Sequence, residues 1–556
     1  KLEAYLGARS ARNFDELKRN LHEQLDHLHS VSDDLCPAGL VTASNKYSAD
    51  TSEYLRPYPW APDGALLVEP HRSTTLQVVS PTRTMKYQWS IGDWGEDKEA
   101  HEAVGAVISH KFSPGTVKVV LKKMMQDKEV GSCVVPVLAK YVRRDMGKLD
   151  DEDRKAVVTA LRALYDYSDE EGEKRFGENF FSAETLAEVH IDGAAKCDHI
   201  HDGNGFLNAH MLLTAMVESA LQAVDPVVTI PYWAYERDGT VMKFSEVNGN
   251  SLPFTEEWFG VADERTGEIS GVFGDITYPV AGSADRVQDM YGLVRAPWNI
   301  SPNPKITRFF QSCQAPDITS LPTCDDFHEW LNMTHLTHLM DRVQYTPHGG
   351  THLGIGGYSH EKSGFDPSIT CSAIVQIVDS LDVSKAWIID FLQNPDRIRK
   401  TLWREGYATC KGSPSCRAAQ VCMCESTESF TEEVMEELLE APAGSTTPQD
   451  LVKALNIAGG DQLTSQGAFD PQFHLTHTNI ERLWSFRMLN TDKFPIDDWT
   501  WYEQYEECSG HNPKDTVHIP VFGIQLTNLD ALELFDARNG YMPYVYDSLD
   551  YSFCGF

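Results

Sequence analysis

The sequence predicts a mainly α-helical fold: a central antiparallel four-helix bundle that gathers histidines into a metal site, with an N-terminal extension and a large helical, cysteine-rich insertion. Three histidine units predict it. In F-D-P-Q-F-H-L-T-H-T-N-I-E-R-L-W, from Phe469 to Trp484, Phe473 and His477 are four residues apart, so on a helix the aromatic ring buttresses the imidazole from one turn away. H-D-G-N-G-F-L-N-A-H repeats that spacing with Phe206 and His210 and places His201 nine residues before His210. H-G-G-T-H-L-G-I-G-G sets His348 and His352 four apart, again on one helical face.

Composition bounds the rest. At 556 residues, 41% of them hydrophobic, the chain can bury a sizeable core and fits one large domain with additions. Acids outnumber bases 82 to 48, for a net charge of −34, and they are scattered along the chain. Such a surface repels phosphate backbones and anionic membranes, so neither nucleic acid nor a membrane surface is expected as a partner. There is no apolar run of about 18 residues, the length that marks a membrane-spanning helix. The 12 cysteines are dispersed except for a patch from Cys410 to Cys424, which favours disulfides in an oxidising compartment over a cytosolic zinc module. The sequons Asn299-Ile-Ser and Asn332-Met-Thr agree with a secreted glycoprotein or an organelle lumen, and the start at Lys1 suggests a leader already removed.

Taken in order, the stretch from Phe14 to His29 reads as a short charged helix, with His22, His27 and His29 on a solvated face. A Pro- and aromatic-rich stretch follows from Tyr54 to Asp63, then T-T-L-Q-V-V-S and T-M-K-Y-Q-W-S-I alternate like the strands of a small hairpin. From His101 to Tyr141, apolar residues at three- and four-residue spacing predict helix. The acidic D-D-E-D after Leu149 suits the positive end of a helix dipole and opens the first bundle helix. A second begins near Ser182 and ends in His190. A third runs from Phe206 to Val224, with Glu218 on a face neighbouring that of His210, and V-V-T-I-P-Y-W-A-Y after it reads as strand.

These residues resemble the tyrosinase, catechol oxidase and molluscan-type hemocyanin family, whose dinuclear type 3 copper site uses three histidines per copper. The family's first-copper signature, H-x4-F-x3-H with a glutamate and then P-Y-W, is matched by His201, Phe206, His210, Glu218, Pro231, Tyr232 and Trp233. Its second, H-x3-H, G-G, D-P-x-F-x3-H and R-x-W, is matched by His348, His352, Gly356, Gly357, Asp470, Pro471, Phe473, His477, Arg482 and Trp484. V-R-R-D-M-G-K-L-D-D-E-D-R resembles the family's core entry, and Tyr544-Val-Tyr546-Asp547 its closing motif. The resemblance implies two copper ions, copper A on His190, His201 and His210 and copper B on His348, His352 and His477. It also implies oxidation of o-diphenols to o-quinones by dioxygen, so the expected partners are a small phenol and dioxygen; oligomerisation is left open. The alternative is an oxygen-binding or structural protein with a covered or catalytically weak copper site. Independently of the family, imidazole suits copper and a helix bundle can aim side chains at a buried site, while the bland readings are core histidines or zinc.

Several residues depart from the family pattern. His190 stands only eleven residues before His201. Cys197-Asp-His199 has the spacing of the family's cysteine–histidine thioether, whereas the nine-residue spacing selects His201. Met211 replaces a common arginine, and Ala234 and Tyr235 replace D-W. Gly349 stands where monophenol-hydroxylating members often carry an asparagine that helps deprotonate the phenol, so diphenol oxidation is expected to dominate. The two glycines of H-G-G-T-H each cost about 1 kcal/mol of helix propensity, so packing must hold that turn. His328, His335 and His338 are alternative copper B ligands without the downstream G-G.

The segment from Tyr358 to Gln466 stands where the family has a short connection. It carries helical patterns, A-I-V-Q-I-V-D-S-L and T-E-E-V-M-E-E-L-L-E, and five cysteines; Cys410, Cys416, Cys422 and Cys424 have spacing for zinc, but disulfides are favoured. Both its ends join segments that carry copper B ligands, so an ordered cover over the pocket is expected. The layout is then residues 1–141, an α+β extension; 142–357, the first part of the core; 358–466, the insertion; and 467–556, the second part of the core and its closing segment.

Overall fold

The computed structural model describes residues 5–6, 11–29, 35–93, 100–283, 285–310, 321–358, 395–411, 422–440, 446–503, 507–519 and 523–556. After a helix at Phe14–His29, nine strands follow: β1 (Val41–Ser44), β2 (Leu66–Val68), β3 (Ser73–Val78), β4 (Lys86–Asp93), β5 (His101–Val104), β6 (Val107–Lys111), β7 (Gly115–Met125), β8 (Lys128–Ala139) and β9 (Tyr141–Arg143). One sheet has the order β1-β3-β6 and the other β2-β8-β7-β4-β5. Side chains from both, among them Leu76, Trp89, Val119 and Val137, share one core, and Cys36–Cys133 is a disulfide.

Two expectations for this region need correction. The segments T-T-L-Q-V-V-S and T-M-K-Y-Q-W-S-I are strands, yet they do not pair as a hairpin: β3 lies between β1 and β6, and β4 between β5 and β7. The span from His101 to Tyr141 is strand, not helix. Along β7, Val117, Val119 and Leu121 are buried and alternate with the outward Lys118 and Lys122, so a period of two and β-branched side chains prevail over the three- and four-residue coincidences. Helix Phe14–His29 inserts Phe14, Leu17 and Leu21 into the main helical core.

That core is built as its caps require. Asp150 accepts the Asp153 N–H at the head of helix Asp151–Asp166, and Ser182 accepts the Thr185 N–H at the head of Ala183–Ala194, which continues one turn beyond His190. Helix Phe206–Val224 is buried through Leu221 and packs against those two helices and against Phe473–Leu489. The stretch Val227 to Tyr235 is not a strand; Tyr232 makes a single bridge to Asp145, and a helix starts at Tyr235.

Of the insertion, A-I-V-Q-I-V-D-S-L lies outside the described residues, while T-E-E-V-M-E-E-L-L-E holds the helix Glu432–Leu439. Ile398, Leu402, Met435 and Leu451 from three of its helices surround Trp298 and Ile300 in a second core. Cys410 and Cys424 form a disulfide, so those thiols serve no zinc site. Together with Cys36–Cys133, Cys197–Cys508 and Cys324–Cys554, this fits an oxidising compartment. Asn299 is buried and accepts the Ser301 N–H, which closes that sequon to a glycan in the folded chain, whereas Asn332 is exposed. Among the described residues no helix is long and apolar enough to cross a membrane.

Strand β9 pairs in parallel with Tyr544–Tyr546, and this pairing buries Arg143. Its guanidinium lies over the Tyr544 ring, 2.7 Å from Glu218 and 2.9 Å from Glu481. Glu218 also accepts from Tyr5, Thr229 and the Ile230 N–H, so its role is to tie the chain's start to the central helix. Glu481 has less support, and burial, with Glu218 competing for the same cation, pushes it up to about 7. An unfolded glutamate titrates at about 4.3, so folding retains a proton that the unfolded chain releases, and stability falls as pH rises from there through neutrality. Urea unfolding should find E481Q close to the parent at pH 5 and more stable by roughly 1–3 kcal/mol at pH 8; an unchanged difference between the two pH values would exclude this ionisation.

Candidate metal centre

The six predicted histidines meet in two groups. His190, His201 and His210 bring one ring nitrogen each within 4.8 Å of one another, and so do His348, His352 and His477. The groups adjoin: the rings of His210 and His477 stack with centroids 4.7 Å apart. Five of the six sit in or at the head of helices, and His201 sits in the turn between helices Ala183–Ala194 and Phe206–Val224.

Each ring is oriented through Nδ1. His210 donates to the Phe206 carbonyl at 2.8 Å, His477 to Phe473 at 2.7 Å and His348 to Gln344 at 3.0 Å, all four residues back along the chain. His190 donates to the Ser465 carbonyl at 2.5 Å and His352 to Gln462 at 3.1 Å. His201 donates to the Asp198 carboxylate at 3.1 Å. Oxygen acceptors fix the proton on Nδ1 and leave each Nε2 as a lone pair. Those lone pairs converge: His190 and His210 at 3.3 Å, His348 and His477 at 3.0 Å, His352 and His348 at 2.8 Å. With no proton between them these contacts are repulsive, and a cation in each group resolves them. Burial, followed by neighbouring imidazoles, holds His190, His210, His348 and His477 well below the usual histidine range, and burial holds His352 at about 4. Neutral imidazole is the form that binds copper, so the donor set fits a metal pair and not a set of satisfied core histidines.

The aromatic partners serve both groups. Phe206 stacks on His210 with centroids 4.1 Å apart and lies 4.8 Å from His348, while Phe473 lies 4.0 Å from His477 and 5.1 Å from His190. The helix carrying His477 is anchored by Asp470, which accepts the Gln472 N–H and pairs with buried Arg308 through both carboxylate oxygens, at 2.6 and 2.7 Å. Arg482 is held between the rings of Tyr232 and Tyr551 and donates to the carbonyls of Ser548 and Asp550. A cavity of about 250 Å³ opens over the two groups, lined by Phe206, Phe473, Trp298, Leu353, Gly349 and residues of the insertion.

The alternatives separate cleanly. His199 turns away and stacks on His518, and Cys197 is bonded to Cys508, so it forms no thioether with a histidine. His335 pairs with Asp498 and stacks on Tyr502 and His338, and His328 stacks on Phe556. Tyr235 donates to the Pro347 carbonyl beside His348, and Met211 is buried in the main core. Sequence reasoning missed Asp198, Arg308 and the carbonyls of Gln462 and Ser465. An aspartate three residues before His201 was a legible signal for the first; the others come from remote segments that carry none.

Residues 180–369 match the family model of the common central domain of tyrosinase. No curated protein sequence matches the chain. Among solved structures it is similar to a polyphenol oxidase variant from Thermothelomyces thermophila, at 15% identity and a TM-score of 0.37, over 74% of this chain and 89% of that one. It is also similar to a tyrosinase from Burkholderia thailandensis, at 14% identity and a TM-score of 0.29, over 74% of each chain.

Gly349 has a role independent of substrate. A Cβ there would lie 2.9 Å from the Gln344 oxygen, the acceptor that orients His348. G349A should therefore weaken copper at the His348 group by about tenfold or more, the scale of lost ligand orientation. Chelator competition measures it, and parental affinity would remove this role from Gly349.

Proposed function

We propose that this chain, which carries the tyrosinase central domain and belongs with the type 3 copper proteins, oxidises o-diphenols to o-quinones with dioxygen as acceptor. The observation that carries the reading is the pair of lone-pair triads beneath one solvent-reached cavity. His190, His201 and His210 would hold copper A, and His348, His352 and His477 copper B. When bound, the copper pair supplies the dioxygen chemistry that takes two electrons and two protons from each diphenol.

The protein's own residues supply the rest. Phe206, Phe473, Trp298 and Leu353 form an apolar slot for an aromatic ring. The His201 side chain keeps 24% exposure and Tyr345 at the rim 41%, which supports entry of a phenol over a sealed oxygen site. Gly349 offers no amide to help remove a phenol's proton, and the cavity wall formed by Asp396, Arg397 and Lys400 of the insertion restricts the entry to small substrates.

Two measurements test this. H210A and H477A should each retain one copper per chain where the parent holds two, by mass spectrometry of the folded protein; two coppers in either variant would remove that histidine from the site. On a catechol and its matching monophenol, hydroxylation should be slower than diphenol oxidation by about a hundredfold or more, the scale of a missing general base. Equal rates without a lag would show that Gly349 does not limit the reaction, and no oxidation of a catechol by the two-copper protein would favour the oxygen-binding alternative.

A further inference from the structure

His201 is the one histidine of the six held on a turn, and its Nδ1 partner is a side chain where the other five use backbone carbonyls. Asp198, buried at 5% exposure, divides its two oxygens. One accepts from the N–H groups of Ile200 and His201 and from His201 Nδ1, at 3.3, 2.7 and 3.1 Å. The other pairs with Lys400 Nζ and Arg404 Nη2, each at 3.0 Å. Both cations come from the helix Pro395–Arg404 of the insertion, some two hundred residues away in sequence. Lys400 also reaches the Asp202 carboxylate at 2.7 Å, and the Asp202 N–H is donated to the side-chain oxygen of Gln344. Arg404 donates further to the carbonyls of Ala194 and Ala195, at the end of the helix that carries His190.

We infer that Lys400 and Arg404 are positioning residues for the copper A group, acting through Asp198 on His201 and through the Ala194 and Ala195 carbonyls on the His190 helix. The physical reason is charge. A carboxylate at this depth requires compensation, and imidazole alone does not supply it, because the copper-binding form of His201 is neutral. With the two cations in place Asp198 stays an acceptor, its orientation is fixed from the side opposite His201, and Nε2 of His201 faces its partners. Without them the Asp198 oxygen facing away from His201 loses both its partners, and helix Ala183–Ala194 loses the Arg404 donor at its last carbonyls. The insertion is thus part of the metal site's support as well as a wall of its pocket.

This rests on the dicopper reading, and the test keeps the two separable. The K400M/R404M pair is placed in full-length H477A, where only the copper A group remains complete, and in H210A, where only the copper B group does; cupric affinity is measured by chelator competition. In H477A the pair should lower affinity by about 10- to 100-fold, the scale for a lost partner of a ligating histidine. In H210A it should change affinity less than about threefold, and K400R with Arg404 intact should keep the parental value. Unchanged affinity in H477A, or equal losses in both backgrounds, overturns the inference. If K400M/R404M does not fold, D198N takes its place, since it keeps the side chain's shape and removes the charge. If H477A without further change still binds two coppers or none, the dicopper reading itself fails.

Discussion

An imidazole can offer Nε2 to a metal only while Nδ1 keeps the proton, and much of this fold is arranged around satisfying that condition six times. Each Nδ1 faces an oxygen that only accepts, so each Nε2 is left as a lone pair aimed at its neighbours. Lone pairs 2.8 to 3.3 Å apart repel one another until a cation lies between them. The polypeptide therefore has to resist their repulsion before a metal arrives, and it does so with elements too well packed to give way. Helix Phe206–Val224 is buried through Leu221, and Phe473–Leu489 through Met488.

Buried charge does much of that holding. Arg308 with Asp470 sets the head of the His477 helix, and Arg143 joins Glu218 of the central helix to Glu481, one turn beyond His477. Such pairs contribute little net stability over apolar packing of the same volume, but they allow one arrangement of their partners and penalise others. In a site whose donors repel one another, that selectivity is the useful property. Tyr5 and Tyr546, both on Arg143 or its partner, extend the same network to the two ends of the chain.

The insertion joins this framework from outside the helical core. Its own core forms around Trp298, which places the helix Pro395–Arg404 over the pocket, while the 3-10 helices Asp461–Leu463 and Ser465–Phe469 supply the Gln462 and Ser465 carbonyls to His352 and His190. One segment thereby both lines the pocket and supplies the carbonyls that face His190 and His352.

What the sequence determined by itself was whatever a single helical turn contains. Phe206 and His210, and Phe473 and His477, lie four residues apart, so one turn of helix supplies both the aromatic contact and the carbonyl that fixes the ring; the metal groups were legible for that reason. The helix starts near Asp150 and Ser182 were legible likewise, because the caps that set them are local hydrogen bonds. Strand and helix between His101 and Tyr141 could not be told apart from apolar spacing alone, since only pairing in a two-sided sheet made the period of two count. The acceptors of His190 and His352 lie 275 and 110 residues away, and the cations behind His201 stand on a separate core. Contacts of that kind leave no periodic trace, because they are decided by which surfaces meet once the helices have formed, and so only the tertiary structure set Lys400 and Arg404 behind His201.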